Sequence, residues 1–394
     1  MSVVRKPDSR QDRVVHLIND LEVGGAEMAL YRLLSRMDRV GFSIVVVSLN
    51  GVGGLGEKIR ALGVPVYGLG MKRRMSDVGK LISLARLLRS LKPAVLHCWM
   101  YHANLLGFLT AWFSGRPLLI WSIRSSYKDI EDYRTLTKWI IKVGALLSRF
   151  CSAIVVNSKV GLESHIAAGY DQSRMRLIPN GFDLDLFRPL PGAREQLRAE
   201  LGLPTNTLLI GMVARYRPPK DHRNLFQAAK YLLQKSSRVA FVLVGGGMDA
   251  NNQELQDLMD GSVRDRVFFM GEREDVPRIL AGLDIMTLSS YREGFPNVIG
   301  EAMACGVPCV VTDAGDSASL VGDTGRVVPP RDPQSLAAAL EDLIALGHEK
   351  RAQLGVAARV RIEELFSLGT MAGYYEELYK ELMERSEGGE KEYG

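Results

Sequence analysis

Glu293 and Glu301 stand eight positions apart in Arg292-Glu293-Gly294-Phe295-Pro296-Asn297-Val298-Ile299-Gly300-Glu301. Gly294 supplies a flexible approach, and Pro296 suits the first turn of a helix, where its missing N–H is not needed. That helix is predicted to run through Glu301-Ala302-Met303-Ala304 and to stop at Gly306, with Pro308 just beyond. Glu293 then lies in the loop before the helix and Glu301 a turn or so inside it. Between them sit backbone N–H groups without helical partners, which make an anion site. Two carboxylates flanking an anion site suit a ligand with hydroxyls at both ends and phosphate in the middle, the layout of a nucleotide sugar. The bland alternative is a pair of exposed helix-end glutamates.

Two cations join them. Arg215 ends Gly211-Met212-Val213-Ala214-Arg215, directly after a predicted strand, and Lys220 follows five residues later, behind the turn at Pro218-Pro219. Fixed cations at a strand end can neutralise a diphosphate; the alternative is an ordinary surface Arg and Lys. Near the start of the chain, Gly24-Gly25-Ala26-Glu27 follows the first predicted strand and opens a helix. Paired glycines there allow a ligand close to the backbone. Gly245-Gly246-Gly247 forms a similar strand-to-helix turn, and each glycine signal alone reads equally well as structural.

The elements that must carry these residues read as α/β throughout. Short β-branched runs at 14–18, 43–49, 64–69, 94–97, 118–123, 153–157 and 176–179 alternate with helical periodicity. The pattern breaks at Asn180-Gly181-Phe182-Asp183 and at Arg188-Pro189-Leu190-Pro191-Gly192, then restarts with runs at 208–213, 239–244, 267–270, 284–288 and 308–312. The chain of 394 residues thus reads as two domains, 1–190 and 191–370. A C-terminal helix over 371–394 is expected to pack back on the first domain, with a disordered tail from Glu387. Doubly wound domains bind ligands beyond the carboxyl ends of their strands.

Composition is ordinary for a globular protein, and a formal charge of +5 gives no reason to invoke nucleic acid. Four cysteines without framework spacing read as reduced thiols, and no metal-ligand set stands out. The N-terminus lacks a signal-peptide core, and the longest apolar run, 103–115, is too short to span a bilayer. The expected location is cytoplasmic, with peripheral contact at the inner face of the membrane in view.

The segment from Gly211 to Pro330 resembles the donor-binding half of the family 4 retaining glycosyltransferases. The carrying pieces are Val213-Ala214-Arg215…Lys220, Val244-Gly245-Gly246-Gly247, Phe269-Met270-Gly271…Asp275-Val276, Glu293-Gly-Phe-Pro-Asn…Glu301-Ala-Met-Ala-Cys-Gly-Val-Pro and Asp323-Thr324-Gly325…Val328-Pro329-Pro330. In the first half the resemblance rests on Gly24-Gly25-Ala26-Glu27, on His97…His102-Ala103-Asn104-Leu105, on Asn157-Ser158 and on Pro179-Asn180-Gly181. It implies the GT-B fold, α/β with two doubly wound Rossmann-like domains facing a central cleft, the first binding acceptor and the second donor.

The resemblance also implies roles. Arg215 and Lys220 would hold the departing diphosphate, Glu301 the ribose hydroxyls and Glu293 a hydroxyl of the donor sugar. Phe295, Pro296 and Asn297 would meet phosphates or sugar through their backbone. Gly245 and Arg273, the latter in the stretch flanking the base, would complete the donor site, with Gly24 and Gly25 closing from the other domain. Transfer would proceed with retention and without a metal or other cofactor, from a UDP-sugar in preference to a GDP-sugar. Many relatives place a histidine after the fifth strand; Arg124 stands here instead, which leaves His102 as the candidate catalytic histidine, with a capping or core role as the alternative, and marks an acceptor or donor of extra negative charge. The acceptor side is written in Lys72, Arg73 and Arg124 and in basic and aromatic residues at 71–75 and 127–139, suited to a lipid-linked phosphate acceptor at a membrane face. A glycan acceptor fits the resemblance as well. The amphipathic stretch 139–147 reads instead as a helix packed on its own domain. Rival readings are a sugar-nucleotide 2-epimerase of the same fold and a non-catalytic nucleotide-sugar-binding protein.

Overall fold

Runs of Val, Ile and Leu that are buried on both faces cannot form the solvated edge of an antiparallel sheet, and here they build two wholly parallel sheets. The structure, a computed structural model, describes residues 13–22, 24–71, 78–124, 135–236 and 238–391. The chain divides into two compact units. The first holds the chain up to Gly181 together with the stretch from Leu368 onward, and the second holds Phe182–Ser367.

In the first unit the strands are β1 (Arg13–Ile18), β2 (Ser43–Ser48), β3 (Val66–Gly68), β4 (Val95–Trp99), β5 (Leu118–Ile123), β6 (Ala153–Val156) and β7 (Met175–Leu177), in the order β3-β2-β1-β4-β5-β6-β7. In the second they are β8 (Leu208–Val213), β9 (Val239–Val244), β10 (Val267–Phe269), β11 (Ile285–Leu288), β12 (Cys309–Thr312) and β13 (Arg326–Val328), in the order β10-β9-β8-β11-β12-β13. Each sheet therefore winds outward from its first strand and then reverses. The reversal falls between β1 and β4 in one unit and between β8 and β11 in the other, and such switch points are where open α/β sheets leave a crevice for ligand.

The C-terminal helix, Leu368–Lys391, belongs to the first unit. Leu368, Met371, Tyr375, Leu378, Tyr379 and Leu382 recur at helical spacing and are buried with Val14, Leu30 and Phe42. The Tyr379 hydroxyl is hydrogen-bonded to His97 Nδ1 at 2.6 Å, and His97 Nε2 to Ser122 Oγ at 2.8 Å. The helix continues to Lys391, past Glu387, where a disordered tail was expected. Once the packed turns have nucleated it, each further residue costs little to add, even without burial. No helix among the described residues is long and apolar enough to cross a membrane.

Candidate active site

In the second unit the loops that follow the strands converge on one ion pair. Lys220 ends a 3-10 turn, Pro218–Lys220, and its Nζ lies 2.5 Å from Glu293 Oε1. The Ser290 hydroxyl donates to the same carboxylate oxygen at 2.6 Å. Lys220 arrives in the loop after β8 and Glu293 in the loop after β11, so the pair bridges the two strands of the switch point. Main-chain bonds hold that geometry. Tyr291 N donates to Pro219 O at 3.0 Å, and Ser289 Oγ donates to Lys220 O at 2.9 Å. Thr312, at the end of β12, donates to Leu288 O at 3.2 Å.

The Glu293 loop also depends on glycine. Asp316 N donates to Gly294 O at 2.9 Å, and a Cβ on Gly315, at φ +61°, would stand 2.4 Å from that same oxygen. The helix Asn297–Ala304 opens at Pro296, its N-cap, and closes at Cys305, followed by left-handed Gly306. Pro296 gives the first turn no side-chain cap, and Ile299 N donates to Pro296 O at 3.1 Å. Gly300 seats the helix on Phe182, since a Cβ there would come within 2.0 Å of the phenyl ring. The Phe295 ring is taken up in packing, 6.1 Å from Phe182 and 6.2 Å from Phe366 between centroids. Glu301, one turn in, is half-buried.

Arg215 is exposed two residues beyond β8. The turn after β9 lies against it: Gly245, at φ +135°, would place a Cβ 2.1 Å from Ala214 O, and Tyr216 N donates to Gly246 O at 2.8 Å. Arg273 takes a different position. Its guanidinium grips Asp275 through two bonds of 2.8 and 3.0 Å and pairs with Glu200 at 3.0 Å, within a cluster that includes Arg278. These hydrogen bonds hold the Asp275 carboxyl well below the usual range. Behind the Lys220 turn, burial and then the nearby Lys220 charge push His222 down to about 4. Among the described residues no group of three or more His, Cys, Asp and Glu could hold a metal ion.

In the first unit the expected residues also lie at the switch point. Gly24 is the N-cap of the helix Gly25–Arg36, just past β1. A Cβ on Gly24 would meet Glu27 Oε2 at 2.3 Å, whereas one on Gly25 would find open space. Burial raises the Glu27 carboxyl, with a smaller push from Asp20. His102 is in the first turn of the helix Tyr101–Ala111 after β4, half-buried, and burial lowers its pKa. Met100, just before it, adopts φ 71° and ψ 161°, a region normally left to glycine. Arg124 follows β5 and turns inward: it donates to Asn180 Oδ1, reaches the Tyr375 hydroxyl at 3.5 Å and lies 5.5 Å over the Trp99 ring. Lys72, Arg73 and the 127–134 part of the basic-aromatic stretch lie outside the described residues. All four cysteines are buried and free.

Residues 207–345 match the family model described as "Glycosyl transferases group 1", and residues 23–186 match that of "Glycosyltransferase Family 4". The chain belongs to the family 4 glycosyltransferases. The enzyme is 28% identical over 271 residues to the UDP-Gal:alpha-D-GlcNAc-diphosphoundecaprenol alpha-1,3-galactosyltransferase of Escherichia coli, covering 68% of this chain and 70% of that protein. It is 23% identical to the capsular polysaccharide biosynthesis glycosyltransferase CapM of Staphylococcus aureus, over 79% of this chain and 83% of that one. Among solved structures, Anabaena HepE in complex with UDP superposes with a TM-score of 0.80 at 24% identity, covering 94% of this glycosyltransferase and 100% of HepE. The likeness to HepE shows the GT-B fold.

The residues that sequence reasoning missed are those that hold others in place. Ser289, Ser290, Thr312 and Gly315 carry no periodic or motif signal; their partners lie in other loops. A faint signal existed in Ser289-Ser290, a hydroxyl pair at a strand end just ahead of Glu293.

Proposed function

We propose that this glycosyltransferase moves a hexose, with retention of anomeric configuration, from a nucleoside-diphosphate sugar to a glycan or lipid-linked acceptor in polysaccharide-type biosynthesis, without a metal. The observation that carries the reading is the Lys220–Glu293 pair at the β8/β11 switch point, beside the open N-terminus of the helix Asn297–Ala304. In transfer, the acceptor oxygen replaces the phosphate oxygen at the anomeric carbon, and negative charge builds on the departing diphosphate. Lys220, Arg215 and the backbone N–H groups of Phe295 and Asn297, on either side of Pro296, meet that charge. Glu293 accepts from a hydroxyl of the sugar and Glu301 from the ribose; Gly245, Gly24 and Gly25 admit the donor to the backbone. His102 is the candidate histidine for the transferred sugar. Arg273 contributes through backbone placement of its loop, since its guanidinium is engaged with Asp275 and Glu200.

A UDP-sugar is the favoured donor. Support comes from HepE, whose structures include complexes with UDP and with UDP-glucose, and from the E. coli galactosyltransferase, which is named for UDP-Gal and a diphosphoundecaprenol-linked acceptor. A lipid-linked acceptor places the enzyme on the inner face of a membrane as a peripheral protein.

The test is donor hydrolysis without acceptor, run with UDP-, GDP-, ADP- and CDP-sugars. Slow release of UDP that persists in excess chelator is the expected result. Strict dependence on a divalent ion would defeat the cationic-clamp mechanism. Altered sugar stereochemistry with no accumulating nucleoside diphosphate would indicate an epimerase instead.

A further inference from the structure

We propose that an aromatic, cation-rimmed face of the first unit docks on an anionic lipid bilayer. The stretch 139–147, read above as an amphipathic helix packed on its own domain, lies in the helix Thr135–Leu147, which buries Ile140, Ile141, Gly144 and Ala145 on one side. Leu136, Trp139, Val143 and Leu146 recur at spacings of three, four and three, and all are exposed on the opposite stripe. Trp112 and Phe113 extend the apolar surface from the end of the neighbouring helix Tyr101–Ala111. Phe150 joins the two, its ring 6.1 Å from Phe108 of that helix. Trp112, Phe113, Trp139, Leu146 and Phe150 are between 58% and 71% exposed, large apolar side chains of the kind that mark interaction sites when they gather on a surface.

Charge selects the occupant. A cation lies against each of three rings: Arg116 4.4 Å from the Trp112 centroid, Lys142 5.8 Å from Trp139, and Arg149 5.0 Å from Phe150. No Asp or Glu occurs in 101–118 or 135–152. A second copy of the same face would bring cation against cation. A nucleic acid would use the rings and cations but leave the aliphatic stripe of Leu136, Val143 and Leu146 without a role. Acyl chains take up that stripe, ring edges settle at headgroup level, and anionic headgroups meet the cations. At 13 residues the helix is ~20 Å long, too short to span ~30 Å of hydrocarbon, so it lies in the plane of the surface. This names the surface for the peripheral-membrane part of the reading above, which it deepens.

The experiment uses the full chain and vesicles that contain no acceptor: phosphatidylcholine alone, and phosphatidylcholine with about a third phosphatidylglycerol. Of four tryptophans, Trp99 and Trp121 are buried, so emission shifts report Trp112 and Trp139. Co-sedimentation with the anionic vesicles and a blue shift are expected, both weakened by high salt. Lys142→Glu with Arg149→Glu should lower partitioning at least about tenfold, at about 1 kcal/mol for each basic residue near the surface. Trp112→Ser, Trp139→Ser and Phe150→Ser together should abolish the blue shift and sedimentation. These side chains are exposed, so unchanged donor hydrolysis certifies the fold of the variants. Failure of the wild type to bind anionic vesicles, or equal binding by the variants, would overturn the proposal. So would a wild-type dimer that the triple variant dissolves, which would give the face to a second copy. Vesicle binding without donor hydrolysis would retain the surface and remove the transferase reading; hydrolysis without vesicle binding would do the reverse.

Discussion

The Lys220–Glu293 pair joins two partly buried side chains from loops 73 positions apart, with Ser290 as a third member. The carboxylate holds the ammonium in place; in the proposed reading, a diphosphate brings more negative charge and competes for it. Lys220→Ala and Glu293→Gln should each lower kcat by ~10²–10³-fold, the usual loss when one preorganised charge partner is removed. The folded state should survive, because few apolar contacts are lost. Near-normal turnover in either variant, measured as UDP release, would sink the assignment. Gly25 offers a cleaner discrimination. A methyl group there meets no protein atom within 4 Å. Gly25→Ala should therefore leave the thermal midpoint unchanged while raising the donor KM; an unchanged KM would make this glycine merely structural. At this scale the sequence was most informative where structure is local, as in the Glu293…Glu301 stretch, whose loop and helix stand where they were read. It was silent on Arg273, whose partner Glu200 is 73 positions away, and on the inward turn of Arg124 toward Asn180 and Tyr375. Motif membership locates a residue on the chain without saying where its side chain is spent.

Strands buried on both faces were legible as continuous apolar runs, and 118–123, 208–213 and 239–244 agree with the observed β5, β8 and β9 to the residue. β13 escaped because Arg326–Val328 is a three-residue edge strand with an arginine at its start, too short to show a period. The packing of the stretch 139–147 was legible, but the exposed stripe of the Thr135 helix was not: periodicity reports that a helix has apolar residues on two sides, and only packing says which side is covered. The helix carrying Glu301 illustrates how little freedom an element can have. Gly300→Ala should push it off Phe182 and destabilise the second unit by about 1–3 kcal/mol, as overpacking commonly does. A drop in the urea midpoint with weakened UDP binding would be the signature. An unaltered midpoint would mean that the ring moves aside freely.

For the whole molecule, buried histidines set the response to acid. Burial lowers His16 to about 3 and His222 to about 4, and burial first, then His16 and Arg124, holds His97 well below its ordinary value. In the unfolded chain all three titrate near 6.5. A lowered folded-state value means that the unfolded chain binds more protons, so the stabilisation is complete above about pH 6.5. It is lost as pH falls toward 4 and 3. His16 and His222 should each cost roughly 2 kcal/mol by pH 5, and His97 adds in the same direction. Denaturant midpoints at pH 7 and pH 5 check this, and equal midpoints would contradict it.

His97 meets Tyr379 across 282 positions of sequence, which makes the first unit a discontinuous one. During synthesis, its sheet emerges early but waits with an uncovered flank while the entire second unit is made, and the helix from Leu368 onward seals it. Nascent chains stalled before Leu368 should therefore be held by chaperones or lost to proteases, because the first unit then lacks its covering helix.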